Sequence, residues 1–496
     1  MKPFLLQIAE LFYNKYGADI QRYAFVFPNR RSGLFFRKYL SETASKPIFS
    51  PTILTINELF CRLNLKQTAD PVKQLFLLYN IYIRHSRLVE SFDDFFHWGK
   101  MLLNDFNDVD KYLIDVKQLF TNVADLNSIE KNFSFLKHSQ VEAIRSFWST
   151  FQPESDDANK QFFLQVWKLL YPVYTELRAT LAAEGLATEG MIYREVVENF
   201  GISAIINEMP YEKIVFVGLN ALSKAERELF KHLKEKQMAD FYWDYASEKV
   251  KDDDNRASFF MKDNIRMFPS AYPLPDEGTV DTQFELIGIP SRIGQAKHLY
   301  PILEKLSDNN RVSAEEALRT AVVLPDEQLL MPVLHAIPEN ISHINVTLGY
   351  PLSGTPAASL MDCLQSLLRT QRKTERGMLF FHSDVIAVLQ HAYVASVCPA
   401  EAALIVQDIA NRNQVYISVS TLAITPFLKL FFSVPENAIE LSDYLMSILK
   451  ELHAQLFPIE DCASPVATTI NSQSFSQEFI LHYYAIVKRI DRKSVV

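Results

Sequence analysis

The chain has 496 residues, 48% hydrophobic and 22% charged, with a formal net charge of −9. That balance fits a globular protein of roughly three domains and excludes one whose whole surface is basic, though a local basic groove can still set the field a phosphate feels. Four scattered cysteines with no C-x-x-C pair exclude a disulfide framework and a zinc ribbon, and only 13 glycines argue against Gly-rich phosphate loops.

The opening MKPFLLQIAELF carries Gln7 and Glu10 among its apolar residues and is no signal peptide. No apolar run reaches the ~18 residues of a membrane span, so a cytoplasmic protein without a membrane partner is expected. Residues 4–14 have helical spacing, with Pro3 placed to start the helix and Gly17 to end it. Ala24–Phe27 reads as a buried strand, stopped by Pro28 and Asn29. Arg30, Arg31 and Ser32 fall on the turn, and a helix is expected from Gly33. Arginines at a strand-to-helix junction stand where ligands bind open α/β sheets and where helix N-termini favour phosphate. Thr52–Leu54 is a second short strand, and Thr55 to Glu58 has capping-box spacing for the next helix.

From Pro71 to Ala183 the pattern is helical, including Gln140–Phe151 and Phe162–Leu181, with Gln152–Lys160 as a surface loop. A strand returns at Glu212–Leu219, followed by a helix that Ser223 and Glu226 box, and a further strand at Asp240–Tyr245. Asp252–Asp254 and Phe268–Thr279 read as exposed connections. A second α/β segment follows. Its strands are expected at Phe284–Ile289, Thr320–Leu324 and Asn345–Leu348, and its helices at Arg292–Leu306 and Glu327–Ala336. Beyond Pro356 the chain is read as helical, at Ala358–Leu368, Ser383–Ala392, Leu441–Leu456 and Phe475–Ile490. Strands alternating with helices imply parallel sheets.

This order of elements resembles the superfamily 1 helicases, which carry helical insertions in two RecA-like lobes. The nearer resemblance is to AddB, the helicase-nuclease subunit of the bacterial AddAB break-repair enzyme, in the form of the PD-(D/E)XK nuclease family proteins of Bacteroidetes. It is carried by FVFPNRRSGLFF (25–36), residues 52–60, FVGLNALSKAERELFKHL (216–233), residues 287–303 and 320–334, and VTLGYPLSGTP (346–356). The resemblance implies an α/β fold of two RecA-like lobes, each with a helical insertion. Residues 1–68 and 205–280 would form the first lobe and 69–204 its insertion. Residues 281–357 would form an incomplete second lobe, and 358–496 a second insertion, truncated. The implied function is a DNA-binding scaffold in double-strand-break end processing and recombination, bound to single-stranded or broken-end DNA and to an AddA-like motor helicase subunit.

Departures from that family limit the chemistry. A motor needs G-x-x-x-x-G-K-[ST], and the only Gly-Lys pair is Gly99-Lys100 inside a helical pattern. Where the Walker B carboxylate would follow its strand stand Gly218-Leu219-Asn220, and a neutral Asn is a poor metal ligand. No ATP hydrolysis is expected. The nuclease pattern has two short matches, Asp115-Val116-Lys117 and Asp491-Arg492-Lys493, each expected by chance. Catalytic and metal-binding residues, and any cofactor of this chain, are therefore expected to be absent. The resemblance assigns Mg2+ and an iron-sulfur centre to a missing C-terminal domain. His85, His97 and His138 read as surface or core histidines, and Asp93, Asp94, Asp105, Asp108 and Asp110 as exposed helix faces.

The candidate DNA-binding residues are Asn29, Arg30, Arg31, Ser32, Thr55 and Asn57. Arginine forks grip phosphate oxygens without reading sequence, and Thr55 and Asn57 could donate to the backbone from the neighbouring turn. Arg292 and Gln295 hold a similar place in the second lobe. A protein-interaction scaffold with inactive lobes that touch no nucleic acid is the alternative from another class, and a nuclease using Asp115 and Lys117 a third.

Overall fold

The computed structural model describes residues 2–86, 90–124, 158–200, 209–245, 256–274, 283–306, 319–341, 343–375, 377–457 and 472–493. The chain is mixed α/β and mostly helical, and it divides into two compact units, Met1–Gln283 and Phe284–Val496.

The first unit is built on a four-stranded parallel sheet. Its strands are β1 (Tyr23–Phe27), β2 (Thr52–Thr55), β5 (Lys213–Val217) and β6 (Ala239–Tyr242), in the order β2-β1-β5-β6. Strand β1 is buried along its whole length, as YAFVF requires of a central parallel strand covered on both faces. Alternation then assigns its side chains to two cores. Tyr23, Phe25 and Phe27 join Ile8 and Phe12 of α1 (Phe4–Tyr16) and Phe36 and Leu40 of α2 (Arg30–Thr43). Ala24 and Val26 join Leu59, Phe60 and the helical insertion on the opposite face. Phe12 meets Phe25 edge-on at 4.9 Å, and Phe25 meets Phe36 at 4.5 Å.

Two local details differ from the sequence reading. Helix α2 begins at Arg30 rather than Gly33, because the Asn29 side chain accepts from Ser32 N–H and caps the turn three residues earlier. Arg30 and Arg31 are therefore helical residues of the first turn. Gly33 has a separate reason to be glycine: a Cβ there would stand 2.6 Å from Ile53 Cγ2, so α2 can lie close against β2.

Helix α3 (Ile56–Leu63) starts with the expected capping box between Thr55 and Glu58. A pair of two-residue strands, β3 (Gln67–Thr68) and β4 (Leu186–Ala187), closes the root of the insertion by parallel pairing. Between them run α4 (Pro71–Ser86), α5 (Phe92–Lys111), α6 (Val116–Ala124) and α7 (Ala158–Ala183). No strand interrupts this stretch among the described residues. The expected helix at Gln140–Phe151 lies outside them, and Ala158–Lys160, read as loop, already belong to α7. Helix α8 (Glu189–Glu198) returns toward the sheet, stacking Tyr193 on Phe60 at 3.8 Å.

Asp110 corrects the reading of the α5 acids as an exposed face. It is 1% exposed, and its Oδ1 accepts from Tyr174 Oη (2.5 Å), Arg178 Nη1 (2.7 Å) and Arg194 Nε (2.7 Å), tying α5 to α7 and α8. Helix α9 (Lys224–Glu235) opens on the expected Ser223–Glu226 box and buries Leu229, Phe230 and Leu233. Phe268 is no exposed connection. It follows α10 (Phe259–Met267), is 1% exposed, and its carbonyl accepts from Trp243 Nε1 at 2.7 Å. The acidic run Asp252–Asp254 lies outside the described residues.

The second unit departs further. Helices α11 (Arg292–Leu306) and α12 (Leu330–Leu334, entered by a 3-10 turn at Glu327–Leu329) fall near where expected. The expected strands Phe284–Ile289, Thr320–Leu324 and Asn345–Leu348 form no ladder among the described residues. Their side chains stand in solvent: Leu286 is 100% exposed, Phe284 85% and Val323 81%. The rest packs as helices α13 (Pro356–Thr370), α14 (His382–Gln390), α15 (Ala392–Val397), α16 (Pro399–Arg412), α17 (Val419–Leu422), α18 (Pro426–Phe431), α19 (Ala438–Leu456) and α20 (Ser472–Lys493). A three-stranded antiparallel sheet interrupts this helical region, with the order β7 (Arg372–Thr374), β8 (Gly377–Phe381) and β9 (Tyr416–Ser418). The apolar GMLFF segment escaped the sequence reading, and its Phe380 is fully buried against the helices. No described helix is long and apolar enough to cross a membrane.

Candidate nucleic-acid interface

Parallel pairing fixes the geometry of the candidate site. Phe27 and Thr55 are register partners, so β1 and β2 end at one edge of the sheet. The chain leaves that edge through Pro28–Ser32 into α2 and through Ile56–Asn57 into α3. All six candidate residues therefore come together on the carboxyl edge, at the adjacent N-termini of two helices whose first N–H groups have no intrahelical acceptor.

Their side chains hold different positions. Asn29 Oδ1 accepts from Ser32 N–H at 2.9 Å and from Ser32 Oγ at 3.2 Å, which makes both residues part of the α2 cap. Thr55 Oγ1 accepts from Glu58 N–H at 3.2 Å, and Thr55 N–H donates to Glu58 Oε2 at 2.9 Å. Asn57 is exposed, its Oδ1 within 3.7 Å of Cys61 Sγ. Arg30 has 84% of its side chain in solvent, yet it is tethered: Nε and Nη2 reach Glu58 Oε1 at 3.0 and 2.8 Å. Glu58 thus joins the first turns of α2 and α3. Its carboxyl lies below the usual range, mainly because Thr55 N–H donates to it and further because Arg30 stands beside it. Arg31 points elsewhere, with its guanidinium 5.8 Å from the Phe35 ring centroid.

The sequence reading missed Glu58 as the partner of Arg30. It also missed the crevice next door, where β1 and β5 diverge. There Phe4, Ser32, Phe35, Tyr39, Gly218 and Asp244 line a space of about 300 Å3. Gly218 has φ +68° and donates its N–H to Tyr242 O at 2.9 Å, so the backbone turns sharply just after β5. The crevice's acid is Asp244, two residues beyond the end of β6. Asp244 is exposed, and partial desolvation by its surroundings raises its carboxyl pKa. An acid directly after a buried strand was the available signal, hidden when DFYWDY was read whole as strand.

Other candidates resolve into structural roles. Asp115 Oδ1 accepts from Gln118 N–H at 3.0 Å at the start of α6, so the Asp115–Lys117 match lies at a helix start. Both residues line a 620 Å3 hollow with Arg178 and Arg194. Asp491–Lys493 are the last residues of α20. His85 Nε2 lies 2.6 Å from Glu176, His97 packs beside Phe96, and His138 lies outside the described residues. Gly99 and Lys100 lie inside α5. Among the described residues no three His, Cys, Asp or Glu side chains converge as a metal site.

In the second unit Ser291 Oγ accepts from Gly294 N–H at 2.9 Å. Arg292, the first residue of α11, reaches Asp326 Oδ2 at 3.1 Å, and Gln295 Nε2 donates back to Ile289 O at 3.4 Å. Neither protein-family models nor curated proteins give a match to this chain.

Proposed function

We propose that the chain is a DNA-binding scaffold of the AddB type, with two RecA-like lobes that grip single-stranded or broken-end DNA while an AddA-like partner supplies ATP-driven movement. The observation that carries this reading is the shared carboxyl edge, where Arg30, Arg31, Ser32, Thr55 and Asn57 gather at two helix N-termini. Such an edge suits a phosphate backbone: arginine forks and helix N–H groups bind it without reading bases.

The two-lobe architecture draws support from a recurrence within the chain. Phe27-Pro28-Asn29-Arg30 and Ile289-Pro290-Ser291-Arg292 both run from an apolar segment into a capped helix. In both, the arginine at the first helical position reaches a carboxylate at the start of a later helix, Glu58 or Asp326.

The test is single-strand DNA binding by the full chain across a range of salt. Arg30→Ala with Arg31→Ala removes two phosphate contacts, so the salt dependence flattens by about 1.4 in slope, at ~0.7 per contact on single strands. Unchanged affinity at low salt overturns the assignment. A protein-interaction scaffold is the second reading, favoured by the solvent-exposed Phe284, Leu286 and Val323. Full retention of DNA affinity by the double variant, together with partner capture lost in Leu286→Ser, selects it.

A further inference from the structure

The crevice at the sheet's switch point has a chemistry opposite to that of the arginine edge. In the order β2-β1-β5-β6 the winding reverses between β1 and β5, and a crevice opens where their carboxyl ends part. Three of its walls are the rings of Phe4, Phe35 and Tyr39. Among the described residues Asp244 is the one charged side chain of the lining. Gly218 contributes backbone to the lining at φ +68°, a left-handed conformation that favours glycine.

These features select a ligand by charge. Among the described residues the lining holds a carboxylate and no cation, a setting that favours a cationic ligand over phosphates and carboxylates. Aromatic faces carry negative potential and attract cations, most of all where water is thinned. A guanidinium is planar and weakly hydrated, so it can lie on a ring while its edge forks onto a carboxylate. One of these rings already has a guanidinium near it, since Arg31 approaches Phe35 from its own helix at 5.8 Å. A space of about 300 Å3 admits a guanidinium head with part of its alkyl stem.

We propose that this crevice is a guanidinium-binding site, in which Asp244 pairs with the cation and Phe35, Tyr39 and Phe4 stack around it. The guanidinium comes from a small alkylguanidine or from an arginine side chain of another protein. The crevice shares Ser32 with the edge read as the DNA site but includes neither Arg30 nor Arg31, so the two readings can fail separately.

Titration calorimetry of the full chain with agmatine, and with the blocked tripeptide acetyl-Gly-Arg-Gly-amide, tests it. Saturable binding of at least one probe is expected. Asp244→Asn should weaken it tenfold or more, Phe35→Leu several-fold, and Arg30→Ala, at a residue that touches Glu58 and not the crevice, not at all. Tighter binding of agmatine assigns the site to a free small molecule, and tighter binding of the tripeptide assigns it to a protein partner. Absence of saturation by either probe at millimolar concentration overturns the proposal. So does undiminished binding by an Asp244→Asn protein whose circular dichroism and melting match the parent.

Discussion

Strand β1 and the segment Phe284–Ile289 carry nearly the same message in sequence and meet opposite fates. YAFVF is paired on both edges and buried on both faces, with Phe25 and Val26 at 0% exposure. FELIGI has no ladder partner among the described residues, and Leu286 is fully exposed. What differs is what surrounds them. Around β1, helices α1 and α2 cover one face, while α3, α9 and the insertion cover the other. In the second unit α11 packs on α12 through residues such as Ala296 and Leu303, and the three extended segments stay outside that contact. A run of β-branched and aromatic residues states a preference for a pleated, covered surface, and the ladder forms only where neighbours supply both edges and both faces.

The largest test of that contrast removes one large side chain from each segment. Phe25→Ala should cost about 3–5 kcal/mol, the usual toll of emptying an aromatic site in a packed core. Leu286→Ala should stay within about 0.5 kcal/mol, as exposed substitutions do. Urea unfolding of the full chain, followed through the transition of each unit, measures both. Comparable losses at the two positions would show that the segment of the second unit is covered in solution.

Carboxylates give the next test, because each unit holds one against arginine in a different setting. Asp110→Asn keeps the shape but loses the charge that Tyr174, Arg178 and Arg194 share, and should cost about 1.5–3 kcal/mol. Asp326 holds Arg292 at the surface and also caps its 3-10 turn, a cap that Asn preserves. Asp326→Asn should therefore cost less than about 1 kcal/mol. Equal effects would contradict the burial that separates the two sites.

These contrasts mark how far the sequence could be read. Elements announced by local chemistry were legible: Pro3 and Gly17 bounding α1, the Thr55–Glu58 and Ser223–Glu226 boxes, and the Leu229, Phe230 and Leu233 stripe. The carboxyl-edge cluster was legible as well, since two strands ending in polar turns place those turns together once they pair in parallel. What depended on distant partners was not. Asp110 read as one more surface acid because its arginines lie 68 and 84 residues away. Glu58 looked like a capping residue alone, and its second bond, to Arg30, spans 28 residues. The β7–β9 sheet eluded the reading because its strands are three to five residues long within a helical region.

The smallest effect lies on the carboxyl edge of the first unit, and it asks what Glu58 contributes beyond Arg30. The Glu58 carboxyl titrates below its ordinary 4.5 in the folded chain, first because Thr55 N–H donates to it and then because of Arg30. The unfolded chain then binds more protons in the window just below 4.5. Glu58 therefore adds stability that is complete above that value and lost as the pH falls through the lower folded value. More than a third of its side chain is exposed, so solvent screening keeps the contribution below about 1 kcal/mol. Thermal melting of the parent and Glu58→Gln should show a gap at pH 7 that closes on acidification. Arg30→Ala should narrow that gap without removing it, because the cap hydrogen bond from Thr55 remains. A gap that vanished in Arg30→Ala would mean the arginine, not the helix cap, sets the titration of this edge.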